Sequence, residues 1–254
     1  MADNRVRGIA PKVRGGRASA RDCAEADNGA ARTLPMTEVR HANPVLVEPD
    51  HLVVAALVLA QGCDWIEQVL GVRPQPGGQH AAMGTHNALL SLGPRFYLEV
   101  IAVDPAGRAP ARPRWFDLDE PRMKAALAEG PQLVHWAART ADIDRAAAQI
   151  PNLGIVTPMA RGDFTWRITI PDDGHRPGRG LVPTLIAWPD ARHPADRLAD
   201  SGLRLAAIAG EHPDPAAVRS ELATLGLSET LKVTYAKSPR LAAMIRTPRG
   251  VATL

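Results

Sequence analysis

The feature that most restricts this chain is a unit that occurs three times: a strand, a helix, then a Leu-Gly-aliphatic stop. Residues 46–55 read as a strand entered through Pro49. Residues 60–70 have helical spacing, with Trp65, Ile66, Val69 and Leu70 on one face, and they stop at Leu70-Gly71-Val72. The same order returns with a strand at 133–139, a short helix at 142–150 and the stop Leu153-Gly154-Ile155. It returns again at 203–209, 215–225 and Leu225-Gly226-Leu227. A glycine just past the last turn takes the left-handed backbone that ends a helix, so each stop is a structural signal.

Each unit is followed by β-like runs. They are 84–92 and 96–103 around Gly93-Pro94, 164–170 and 182–188 around the 172–180 turn, and 231–235 with 242–247. A Pro/Arg loop (104–114) and a helix (119–129) join the first unit to the second. The expected class is α+β, built from repeated units that each read as β-α followed by β strands in hairpins. The expected boundaries are a disordered basic tail at 1–44, modules at 45–114 and 115–200, and a partial third βαββ unit at 201–254. Such a sheet has one face covered by its helix, and two of them curl around a shared cavity.

Charge argues against a polyanion partner. The net +3 comes entirely from residues 1–35, which hold seven Arg/Lys and four Asp/Glu, whereas the rest of the chain is balanced. No basic stripe interleaved with aromatics follows, so nucleic acid is not an expected partner. No apolar run reaches the ~18–20 residues of a membrane span, and no apolar signal region is present, so no membrane partner and a cytoplasmic setting are expected. Cys23 and Cys63 are too few for a disulfide framework or a four-Cys zinc site. Cys63 reads as a buried thiol on a helix face.

The candidate chemistry lies on strands. Glu99 is the only charge in the apolar run 96–103, and a carboxylate there needs either a metal ion or an arginine partner. His51 and His135 occupy matching places in the first two units, 19 or 20 residues before the Gly stops; the third unit has Ala206 or Ala207 there. Two imidazoles and a carboxylate are a set that can hold a divalent ion with open positions. In Thr85-His86-Asn87, alternation points His86 into the cavity as a substrate contact, acid/base group or extra ligand, or leaves it a strand-start histidine. Asn87 supports that turn as a substrate contact, and His193 is placed at the cavity rim as another. His80 and His175 sit in Gly-rich segments and read as solvated, with Gly77-Gly78 as a turn. Trp115, Phe116 and Trp166 are either wall or core residues.

The segments Asp50-His51-Leu52-Val53-Val54-Ala55, Gly84-Thr85-His86-Asn87-Ala88-Leu89-Leu90 and Tyr97-Leu98-Glu99-Val100-Ile101-Ala102 together resemble the glyoxalase-like branch of the vicinal oxygen chelate superfamily. The resemblance covers roughly 48–250. It implies paired βαβββ modules (the glyoxalase/bleomycin resistance/dioxygenase fold) around a cup-shaped site, with ligands on the first and last strands of each module. His51, Glu99 and His135 match three such places, and Ala187 stands at the fourth. The implied activity is a metal-dependent isomerase, lyase or dioxygenase chelating a small substrate through adjacent oxygens, with Glu99 and His86 as catalytic groups. The alternative is a metal-free protein that binds an apolar or aromatic ligand, and the resemblance allows a homodimer.

Overall fold

The computed structural model describes residues 45–254. The expected basic tail at 1–44 lies outside the described residues. The elements begin with β1 (Val47–Ala55), α1 (Leu59–Leu70), β2 (Gln75–His80), β3 (Thr85–Ser91) and β4 (Tyr97–Val103). A linking helix α2 (Pro121–Glu129) leads to β5 (Gln132–Thr140), α3 (Ile143–Ala147), β6 (Ile155–Arg161), β7 (Phe164–Ile170) and β8 (Thr184–Ala187). The last group is β9 (Arg204–His212), α4 (Pro215–Thr224), β10 (Leu231–Tyr235), β11 (Arg240–Thr247) and β12 (Gly250–Thr253).

The first eight strands form one sheet in the order β2-β3-β4-β1-β5-β8-β7-β6. In both halves the first strand runs parallel to the last, and β1 and β5 join the halves antiparallel. This is the expected α+β fold of paired βαβββ modules. The edge strands β2 and β6 approach each other, with Gly78 against Arg161, so the sheet curls into a cup.

Strand alternation sorts the side chains. Leu52, Val54, Leu98, Val100 and Trp136 face the helices on the convex side. Val53, Ala55, Ile101, Ala137, Ile168 and Ile186 face the concavity. Trp115 and Phe116 pack into this second cluster from the linker that precedes α2. There the chain bends through positive φ at Phe116 and Asp117, held by Asp117–Arg176 and Arg114–Asp119 ion pairs of 2.7 Å each.

Two differences from the sequence expectation stand out. The segment Gln75–His80, containing Gly77 and Gly78, is a strand rather than a turn. The third unit is βαβββ rather than βαββ, since β12 completes it, and its wiring differs. Its first strand β9 lies between β10 and β11, in the order β10-β9-β11-β12. This second sheet packs on the convex side so closely that a Cβ on Gly210 would lie 2.1 Å from Leu181 Cδ2. Among the described residues, no helix is long and apolar enough to cross a membrane.

All three Leu-Gly-aliphatic stops have a positive φ, 79° at Gly71, 81° at Gly154 and 73° at Gly226, though Gly154 has an extended ψ of −163° where Gly71 is left-handed helical. Their surroundings differ. A Cβ on Gly154 would lie 2.2 Å from the Ile170 backbone carbonyl, whereas one on Gly226 would meet no atom within 4 Å. Gly226→Ala is therefore expected to cost about 1 kcal/mol through backbone strain alone. Gly154→Ala adds a backbone clash and should cost about 3 kcal/mol. Equal losses in urea denaturation would show that the close approach at Gly154 is absent.

Candidate active site

The concave face of the first module carries a connected polar network. Asp50 and His51 come from β1, His80 from β2, Asn87 from β3 and Glu99 from β4. The register aligns Glu99 with Val53 and Leu89, and Tyr97 with His51, so these strands present the group on one face.

Asp50 is fully buried. One of its oxygens accepts from His51 Nδ1 at 2.6 Å, and the other from Trp188 Nε1 at 2.9 Å and His193 Nε2 at 3.0 Å. Burial alone would raise its pKa, but the hydrogen bonds from His193 and His51 outweigh that and hold the carboxyl well below the usual range. An ionised carboxylate only accepts, so His51 carries its proton on Nδ1 and turns Nε2 toward Glu99 Oε2, 3.9 Å away. Tyr97 stacks on the His51 ring at 4.6 Å.

Glu99 is fixed from the other side. Asn87 Nδ2 donates to Glu99 Oε1 at 2.5 Å, and Asn87 Oδ1 accepts from the Gly78 N–H at 3.0 Å. This close packing explains Gly77, because a Cβ there would fall 2.0 Å from Asn87 Oδ1. His80 Nδ1 bonds Thr85 Oγ1 at 3.0 Å, and Nε2 lies 3.4 Å from Asn87 Nδ2, which can only donate, so Nε2 is an acceptor there; it is 3.9 Å from Glu99 Oε1. Burial pushes His80 down to about 4, with the Glu99 charge opposing.

These groups enclose a chamber of about 20 Å³, room for about one water molecule. Arg161, Trp115, Trp166 and Trp188 line the rest of it. Trp115 and Trp166 stand nearly perpendicular to the His80 ring at 5.1 and 6.0 Å. Their indole N–H groups are buried and meet no acceptor among the described residues, a condition that costs about 1–3 kcal/mol for each donor. Trp166 and Trp188 are also a wall of a larger cleft of about 800 Å³ outside, flanked by Met159, Ile143 and Pro158.

The sequence-derived set is only partly assembled here. His51, Glu99 and Asn87 converge. His135 faces the same side of the sheet but spends both nitrogens. Nδ1 bonds the Gly180 carbonyl at 3.3 Å, and Nε2 accepts from the Thr184 N–H at 3.1 Å and lies 2.9 Å from its hydroxyl. Burial pushes this ring down to about 3. The register also relocates the fourth place. Val53 aligns with Glu99 in the first module and Ala137 with Thr184 in the second, so Thr184 is the counterpart of Glu99. Ala187, paired with Arg167, lies on the opposite face.

The expected divalent metal therefore lacks its donor set. His135 is closed off, Thr184 replaces the second carboxylate, and no group of three His, Cys, Asp or Glu among the described residues is arranged to hold an ion.

His86 is displaced by one step of alternation. It pairs with Ala102 and opens, with Cys63, onto an apolar cleft on the helix side of the sheet. Burial pushes the Cys63 thiol up. His193 is not at a rim: it is fully buried, bonds Asp50, and caps the short helical turn Pro194–Arg197.

His80, Asp50, Thr184 and Arg161 were missed as site residues. His80 had a usable signal. A βαβββ module needs a strand between α1 and β3, and only 75–80 remains to supply it.

The pattern that describes a glyoxalase-like domain matches residues 50–226. Among solved structures, a hypothetical protein from Staphylococcus aureus is 13% identical with a TM-score of 0.53, over 77% of this chain and 88% of that one. A methylmalonyl-CoA epimerase in complex with methylmalonyl-CoA and NH4+ is 23% identical, with a TM-score of 0.38, over 59% and 99%. The Mycobacterium tuberculosis methylmalonyl-CoA epimerase is 19% identical, with a TM-score of 0.39, over 59% and 93%. No curated protein matches the chain.

Two buried histidines make stability depend on pH. His80 and His135, lowered from 6.5, stay neutral in the fold where the unfolded chain takes up protons. Stability is thus present above about pH 6.5 and is lost as pH falls toward 4. At pH 5 each ring should account for ~2 kcal/mol of loss. Denaturant midpoints at pH 7 and 5 should show the drop, and His80→Gln should remove about half of it. An unchanged drop in that variant would mean that His80 is not held neutral.

Proposed function

The chain belongs to the glyoxalase-like domain family of the vicinal oxygen chelate superfamily, and we propose that it is an isomerase or lyase that moves a proton on a small substrate. The observation that supports this is the facing pair His51 and Glu99, with a 3.9 Å gap between them and each side chain oriented by a separate buried partner.

His51 Nε2 is the base. Asp50 occupies the Nδ1 proton, so the free lone pair points at the place a reacting atom would take. It removes a proton from a carbon next to a carbonyl, and the C–H electron pair passes to the carbonyl oxygen as an enolate. The imidazolium that forms is stabilised on one nitrogen by Asp50 and on the other by Glu99, and it returns the proton to a neighbouring atom or to a leaving group. Asn87 positions Glu99, and His193 and Trp188 position Asp50. The body of the substrate occupies the outer cleft, whose wall of Trp166 and Trp188 it shares with the chamber. His135 and His86 have no role in the step.

Deuterium exchange tests the reading without knowledge of the substrate. Small oxo acids and acyl compounds are incubated with the protein in deuterated water, and loss of the C–H signal is followed by NMR. At least one compound should exchange, with His51→Gln and Glu99→Gln slowing the rate by 10²-fold or more and EDTA leaving it unchanged. Retained exchange in His51→Gln, or a requirement for an added divalent ion, would overturn the mechanism. Saturable binding with no exchange would make the chain a binding protein.

A further inference from the structure

Donors and acceptors are distributed unevenly in the chamber. The first module contributes the acceptors, which are Glu99, the free Nε2 of His51, and the Nε2 of His80 that already accepts from Asn87. The same lining also holds donors without acceptors. The Trp115 and Trp166 indole N–H groups are more than nine-tenths buried and unpartnered among the described residues. Arg161, on β6, lines the same chamber, and its guanidinium has no hydrogen bond or ion pair among those residues. Alternation places Arg161 on the same face as Trp166, since Trp166 aligns with Met159, two residues away. The positive charge acts on both His80 and Tyr97 across the chamber.

We propose that Trp115, Trp166 and Arg161 form a subsite for a carboxylate, so that the substrate is a small organic acid. A carboxylate supplies acceptor lone pairs for two indole N–H groups and the planar edge that a guanidinium fork binds in two places. A neutral carbonyl would satisfy the indoles but leave the charge of Arg161 without a counterpart. This inference rests on the proton-transfer reading of the same chamber.

The probe is formate, the smallest carboxylate, with formamide as its neutral counterpart and sodium chloride at matched ionic strength as reference. The readout is the set of five Trp indole N–H resonances in a ¹⁵N-labelled protein, with Trp115→Phe and Trp166→Phe assigning two of them. Formate should shift the Trp115 and Trp166 signals saturably. Trp136 and Trp188, already bonded to the Leu181 carbonyl and to Asp50, should stay in place. Arg161→Gln should weaken formate binding at least 10-fold, and Arg161→Lys should restore part of it. Equal shifts with formamide, no shift with formate, or unchanged affinity in Arg161→Gln would each overturn the subsite. Formate binding that survives in His51→Gln separates the two readings. Lost exchange with intact binding leaves the subsite standing, whereas exchange without formate binding overturns the subsite alone.

Discussion

A carboxylate removed from water persists inside a protein only where donors replace the solvent it has lost, and Asp50 has three. One is the imidazole beside it on β1, and the other two, Trp188 and His193, follow β8 in the second module. A single buried charge thus holds the two halves of the cup together at the site and selects the tautomer of His51. The surrounding residues depend on it in turn. Without that acceptor, His193 would be a buried donor with no partner, the half-buried Trp188 would lose its acceptor, and His51 would lose the bond that orients its ring.

The rest of the chamber follows from the same logic of satisfied and unsatisfied polar groups. Asn87 distributes its amide among Glu99, His80 and the Gly78 backbone, which requires a backbone without a side chain at Gly77. The indoles of Trp115 and Trp166 are the exception, and they lie where a ligand, rather than the protein, can supply the acceptor. Aromatic rings enclose these groups, so charge interactions inside act through a poorly screening medium.

Much of this was legible in the sequence and some of it was not, for identifiable reasons. The three Leu-Gly-aliphatic stops located the strand–helix units, because a positive-φ glycine is a local requirement. A lone acid in an apolar strand identified Glu99, because burial makes an isolated charge conspicuous. The phase of β3 was misjudged: alternation tells which residues share a face but not which face is inside, so Asn87 rather than His86 enters the chamber. His135 and His51 are equivalent along the chain, yet their surroundings are set by β8 and β4. Only the pairing register shows Thr184 where a second acid was sought at Ala187. His80 was hidden because β2 is rich in Gly and Pro and lacks the apolar alternation of a strand.

The exchange of an acid for Thr184 has an arithmetical consequence. Two halves built on one plan would offer two equivalent reaction centres across their shared axis. Here a single threonine and the Gly180 carbonyl occupy both nitrogens of the imidazole in the second half, so the duplicated architecture presents one open imidazole rather than two. The silent half is thereby left to serve as wall and support for its twin.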